Sequence, residues 1–183
     1  MAAIEEHTVL PAPEFDKPVK VLIVVSPYYS DIAAGLLTGA KVALEEAGAT
    51  YDVVEMPGAL EIPTAIGISD RRSNFDGYVA LGCVIRGETT HYETVCNDSS
   101  RALQLLGLQG LCIGNGILTV ENKAQADVRA DPEGQNKGGG AALAALHLIA
   151  LGRKWTSTPT GIGFKPRGED TLMAGDMDGN TTA

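Results

Sequence analysis

The chain has 183 residues, 44% hydrophobic, 20% charged and 5% aromatic; the length suits one domain or two small ones, and the balance predicts a core-forming chain and argues against disorder. Fourteen Lys and Arg against 23 Asp and Glu leave a formal net charge of −9 with no basic stripe, which argues against a nucleic-acid partner. No apolar run approaches the roughly 20 residues of a membrane span, and Cys83, Cys96 and Cys112 lack the CxxC spacing of a zinc ribbon or disulfide framework.

The first residues, MAAIEEHTVLPAPEF, have neither the basic nor the apolar stretch of a secretory signal, which with the cysteine usage predicts a cytoplasmic protein. Val19–Val25 (VKVLIVV) reads as a buried strand. Ser30 reads as the N-cap of a helix running to Gly48, with Ile32, Leu36, Leu37, Ala40, Ala43 and Leu44 on one side. Tyr51–Glu55 is a second strand, and a helix over 61–72 follows the Pro57-Gly58 break. Tyr78–Ile85 is a third strand, followed by a polar loop and a helix over 91–106. Leu111–Leu118 is a fourth strand, a short helix follows Thr119, and Asp131–Gly134 reads as a turn. Gly138–Leu151 is a last, almost wholly apolar helix; His147 inside it reads as packing and His7 as a solvated residue. The alternation predicts a four-stranded parallel sheet covered on both faces, a three-layer α/β/α fold. Residues 18–155 form the domain, 1–17 an N-terminal extension and 156–183 a flexible tail. The extensions carry net charges of −3 and −2, which leaves −4 for the domain.

Ligands of open parallel sheets bind beyond the carboxyl ends of the strands. Four segments leave those ends: Ser26–Asp31, Met56–Glu61, Arg86–His91 and Asn115–Glu121. In the first, Tyr28 and Tyr29 read either as rings for a planar ligand or as partial core packing. In the second, Gly58 permits close backbone approach; Glu61 suits a helix N-terminus or the hydroxyls of a polyol. The third, Arg86-Gly87-Glu88-Thr89-Thr90-His91, is a glycine-containing loop opening a helix, a place where backbone N–H groups can hold an anion. Its His91 is placed for proton transfer, or is a solvated first-turn residue below a Thr90 N-cap. In the fourth, Asn115-Gly116 and Thr119 precede a helix bearing Arg129. That arginine reads either as the fixed charge a phosphate requires or as a surface ion-pair partner, and Lys137 is equally ambiguous. Neither GxxxxGK[ST] nor GxGxxG occurs.

Taken together, PGALEIP (57–63), ALGCVIRGETTHYE (80–93), NGILT (115–119), Arg129 and NKG (136–138) resemble the loops of the lumazine synthase family, in that family's order. The resemblance covers roughly 19–155. It implies a flavodoxin-like fold and the condensation of 5-amino-6-(D-ribitylamino)uracil with 3,4-dihydroxy-2-butanone 4-phosphate to 6,7-dimethyl-8-ribityllumazine, the penultimate step of riboflavin biosynthesis. It implies no cofactor and no metal. On matching positions, Tyr28 stacks on the pyrimidine, Ala59, Leu60 and Glu61 line the ribityl chain, and Val84 and Ile85 meet the pyrimidine through their backbones. Gly87, Glu88 and Thr89 form the phosphate loop with Arg129 as charge partner. His91 transfers protons, Asn115 contacts the pyrimidine side and Lys137 lies near the site. The resemblance also implies a homopentamer, which some members close twelvefold into a shell. Each site then lies between neighbours, with Asn115 and Arg129 supplied by the next chain. The segment Thr8–Leu10 is expected to add a strand to a neighbour's sheet. Asp131-Pro132 departs from the glycine-rich form of shell builders and favours a free pentamer. Tyr28 stands where Phe or Trp is more usual, and Tyr29 where a polar residue is common.

Overall fold

The apolar run read as the first strand forms β1 (Lys20–Val25), an inner strand of a four-stranded sheet. The computed structural model describes residues 10–156. Two compact units divide between Leu151 and Gly152, and the fold and site below belong to the first. In chain order β1 is followed by α1 (Ser30–Glu46), β2 (Thr50–Glu55), α2 (Glu61–Arg72), β3 (Gly77–Ile85), α3 (His91–Leu108), β4 (Ile113–Val120), α4 (Lys123–Ala130) and α5 (Lys137–Thr156). The strands lie in the order β2-β1-β3-β4, and every pair is parallel.

Alternation along β1 and β3 feeds two cores, which explains why both strands read as continuous apolar runs. Val21, Ile23 and Val25 with Val79 and Leu81 pack against Ile32, Leu36 and Leu44 of α1, the alanines of α4 and Leu146 of α5. Leu22, Val24, Tyr78 and Ala80 pack on the other face against Ile62 and Ile66 of α2 and Leu103 of α3. Helices thus cover both faces of the sheet, as the three-layer reading expects. Burial of each such large side chain stabilises the fold by about 1.5–3 kcal/mol.

Some boundaries differ from the expectations for physical reasons. Ser30 is the first helical residue and not the cap. Tyr29 holds the cap position without a side-chain bond, and its carbonyl accepts the Ala33 N–H at 2.9 Å. Strand β4 starts and ends two residues later than read, and Asn115-Gly116 lies inside its ladder rather than leaving its end: Asn115 pairs with Ala80 and Gly116 with Leu81. The glycines are there for clearance. A Cβ on Gly114 would lie 1.8 Å from the Ala141 carbonyl oxygen of α5. Helix α5 runs past Leu151, where the apolar pattern stops, to Thr156, with Arg153 and Lys154 in its last turn, cations that suit a helix C-terminus. Of the segment Thr8–Leu10, only Leu10 is described, and it is in neither helix nor strand. His7 and residues 157–183 of the tail lie outside the described residues.

The Gly114 contact gives a direct prediction. Gly114→Ala forces α5 away from β4 and costs about 1–3 kcal/mol, the range of overpacked cores. A lowered midpoint in urea unfolding, followed by circular dichroism, is the expected outcome; an unchanged midpoint contradicts the close approach.

Candidate functional site

The carboxyl ends of β1, β2 and β3 open onto one cavity of about 420 Å³. Three chain segments build it. After β1 come Ser26, Tyr28 and Tyr29. Ser26 is buried; its N–H donates to the Leu81 carbonyl (2.9 Å) and its hydroxyl to the Pro57 carbonyl (3.4 Å), tying the first segment to β3 and to the second. Tyr28 is 73% exposed, and Tyr29 meets its ring edge-on, with centroids 5.1 Å apart at 72°. An exposed aromatic face held by a half-buried neighbour is suited to stacking on a flat ligand.

The second segment, Gly58 to Glu61, follows β2 and enters α2. A Cβ on Gly58 would come within 2.9 Å of the Glu61 carboxylate, so glycine there lets Glu61 fold back over the loop. Ala59 is buried; Leu60 and Glu61 are exposed. The third segment is Cys83 to Ile85 of β3, then Gly87, Thr89 and His91, with Tyr92 and Val95 behind them on α3. Gly87 and Thr89 lie between the strand end and the helix start. The His91 N–H reaches the Thr89 hydroxyl at 3.4 Å, and Thr90, in the cap position, makes no side-chain cap bond. His91 opens α3 with its side chain exposed at the cavity.

Nine predicted site residues therefore line one cavity: Tyr28, Ala59, Leu60, Glu61, Val84, Ile85, Gly87, Thr89 and His91. Four do not. Glu88 is exposed on the same loop but lines no part of the cavity. Asn115 is exposed in the middle of the edge strand β4, where its carboxamide oxygen accepts the Ile117 N–H at 3.0 Å. The expectation that it leaves a strand end is corrected by the register. Arg129, on α4, donates to the Gln125 carbonyl of its own helix at 3.0 Å. Lys137 is the exposed first residue of α5. Among the described residues that line the cavity, none is Lys or Arg.

Ser26, Cys83, Tyr92 and Val95 escaped the sequence reading. Ser26 directly follows the first strand, and Tyr92 and Val95 stand one and four residues beyond His91, the spacing of one helix face, so both signals were present. Burial, with a smaller push from Asp127, raises the Cys83 thiol from 9.0 to about 11. That shift cuts the thiolate fraction at pH 8 by about 100-fold, so iodoacetamide alkylates Cys83 that much more slowly in the folded chain than in urea. Mass spectrometry of the Cys83 peptide reads the ratio, and equal rates would contradict the burial.

One charged group beside the cavity is held by two carboxylates. Arg86 donates through Nη1 to Glu93 and through Nε to Glu121 (2.7 Å), and its Cζ lies 4.2 Å from the Tyr92 ring centroid. Glu93 and then Glu121 hold the guanidinium further above its ordinary range, and Arg86 lowers the Glu93 carboxyl below its own. Because the Glu93 shift is downward, its pairing persists at neutral pH and is lost only as pH falls through that lowered value.

The sequence profile of the 6,7-dimethyl-8-ribityllumazine synthase family matches residues 18–153. The chain is 59% identical over 163 residues to the 6,7-dimethyl-8-ribityllumazine synthase of Jannaschia sp. (strain CCS1), covering 89% of this chain and 92% of that one. It is 54% identical over 137 residues to the protein of that name from Novosphingobium aromaticivorans, covering 75% and 99%. The corresponding protein of Bartonella henselae is 56% identical over 145 residues, covering 78% and 94%.

Proposed function

This chain belongs to the 6,7-dimethyl-8-ribityllumazine synthase family, and we propose that it condenses 5-amino-6-(D-ribitylamino)uracil with 3,4-dihydroxy-2-butanone 4-phosphate at the cavity described above. The product is 6,7-dimethyl-8-ribityllumazine, with release of phosphate and water, the penultimate step of riboflavin biosynthesis. The observation that carries the reading is the gathering of an exposed ring (Tyr28), a carboxylate (Glu61), a glycine-hydroxyl loop (Gly87, Thr89) and a histidine (His91) around one opening.

The pyrimidine stacks on Tyr28 and meets the backbones of Val84 and Ile85. Its ribityl chain runs along Ala59 and Leu60 to hydrogen-bond with Glu61. The nucleophile is the substrate's own amine, so no protein nucleophile is required. The work of the site is orientation, worth up to about 7–11 kcal/mol of barrier when two reactants are held in register. The amine attacks the ketone carbonyl and water leaves as the imine forms. Elimination breaks the C–O bond to phosphate, and closure of the second ring releases further water. His91 carries protons through these steps. Backbone N–H groups of the 87–89 loop hold the phosphate.

A phosphate also requires fixed positive charge, and the cavity's described lining holds no Lys or Arg. Arg129 of a neighbouring chain supplies it, with Asn115 of that chain closing the pyrimidine side and Lys137 nearby. The functional unit is then a homopentamer in the cytoplasm, and Asp131-Pro132 favours the free pentamer over the shell. Its domain is 18–155, with 1–17 and 156–183 as extensions.

Mixing both substrates with the protein tests the reading through the absorbance and fluorescence of lumazine. Accumulating lumazine supports it. Pyrimidine or lumazine binding without turnover marks a carrier instead, assembly with neither binding nor turnover marks a structural cage, and consumption of added lumazine marks a riboflavin synthase.

A further inference from the structure

We propose that Arg86 is a positioning residue, one that holds the phosphate loop in shape without touching phosphate. The inference rests on the function proposed above and adds a role for a side chain outside the cavity lining.

Arg86 is the first residue after β3, and its N–H donates to the Val120 carbonyl at 2.9 Å, one step beyond the strand ladder. Its guanidinium then reaches two carboxylates on two other elements. Glu93 lies in the first turn of α3, and Glu121 is the first residue after β4. The Arg86–Glu93 pair closes the segment 87–92 into a ring, and that ring contains Gly87, Thr89 and His91. The guanidinium carbon lies over the ring of Tyr92, which itself lines the cavity. One side chain therefore pins the end of β3, the start of α3 and the end of β4 around the loop.

A lone exposed ion pair holds little structure. Here two carboxylates and a ring share one planar fork, a geometry that lysine's single ammonium cannot reproduce. Charge points the same way. Glu93 and Glu121 already neutralise Arg86, so the cluster offers no free cation to a phosphate. Removal of Arg86 leaves both carboxylates unbalanced beside the loop that must receive an anion. The damage should then fall on the phosphate-bearing substrate and spare the pyrimidine, whose contacts are on Tyr28, Glu61 and the β3 backbone. A general collapse of the cavity would strike both alike.

The test compares Arg86→Gln, Arg86→Lys and Glu121→Ala in the full assembled protein. The measurements are KM for the butanone phosphate, Kd for the pyrimidine alone, and deuterium exchange of the 86–92 segment. For Arg86→Gln, the loss of charge-assisted bonds predicts a KM about tenfold higher, faster exchange in 86–92 and an unchanged pyrimidine Kd. Arg86→Lys should fall between this variant and the wild type. Glu121→Ala separates positioning from direct contact. It removes a negative charge and frees part of the guanidinium, so a phosphate-binding Arg86 would tighten phosphate affinity, whereas a clamp weakens it and loosens the loop. A lower KM in Glu121→Ala overturns the proposal. So does an Arg86→Gln protein with wild-type KM and exchange, or one that loses pyrimidine affinity in parallel. A wild-type protein that makes no lumazine refutes the proposed function instead. The exchange comparison still reads the clamp in that case, because it needs no turnover.

Discussion

His91→Ala lowers kcat by about 10²–10⁴-fold, the usual contribution of a positioned acid–base group, and leaves the pyrimidine's affinity unchanged. The split follows from where the side chain stands. His91 is the exposed first residue of α3, and its hydrogen bond to the Thr89 hydroxyl uses its backbone N–H, which alanine retains. Alanine is also the best helix former, so the start of α3 survives the change. What disappears is the imidazole at the cavity, while Tyr28, Glu61 and the β3 backbone stay in place. Single-turnover kinetics with saturating pyrimidine read the chemical step directly. Unchanged turnover would remove His91 from the mechanism.

Arg129→Ala is expected to cut kcat/KM for the butanone phosphate by about 10²–10³-fold, the cost of removing one preorganised charged donor from a developing anion. The fold should tolerate the loss, because the bond from Arg129 to the Gln125 carbonyl lies within α4 and the helix keeps its own ladder. Arg129→Lys keeps the charge but loses the planar fork, so it should recover only part of the activity. Wild-type kinetics in Arg129→Ala would mean that the loop amides hold the phosphate without it.

The three-layer fold was legible because β1 and β3 are buried on both sides and therefore read as unbroken apolar runs, separated by segments of helical period. The first three site segments were legible for a related reason: each directly follows a strand whose end is marked by a break, at Ser26-Pro27, Met56-Pro57 and Arg86-Gly87. The fourth misled. Asn115-Gly116 reads as the start of a segment leaving a strand end, yet it sits within β4 and its glycine is demanded by clearance: a Cβ there would lie 2.7 Å from Leu81 and 3.0 Å from the Ala141 side chain. Local sequence does not announce that a helix over 20 residues further along the chain will press on that strand. The Arg86 cluster was hidden for the same reason, since Glu93 and Glu121 converge on it only after β3, α3 and β4 are assembled. The acidity of the chain says little about its anionic substrate, because local donors decide that binding and the net −9 is spread over the domain and both extensions.

The most direct test of an active site shared between chains is complementation. His91→Ala and Arg129→Ala proteins are unfolded, mixed in equal amounts, refolded together and assayed for lumazine. If His91 and Arg129 of one site come from neighbouring chains, random assembly in a ring restores both groups to about a quarter of the sites, and activity returns to that fraction of wild type. A mixture as inactive as its two parents, with both variants folded and assembled, would contradict the shared site.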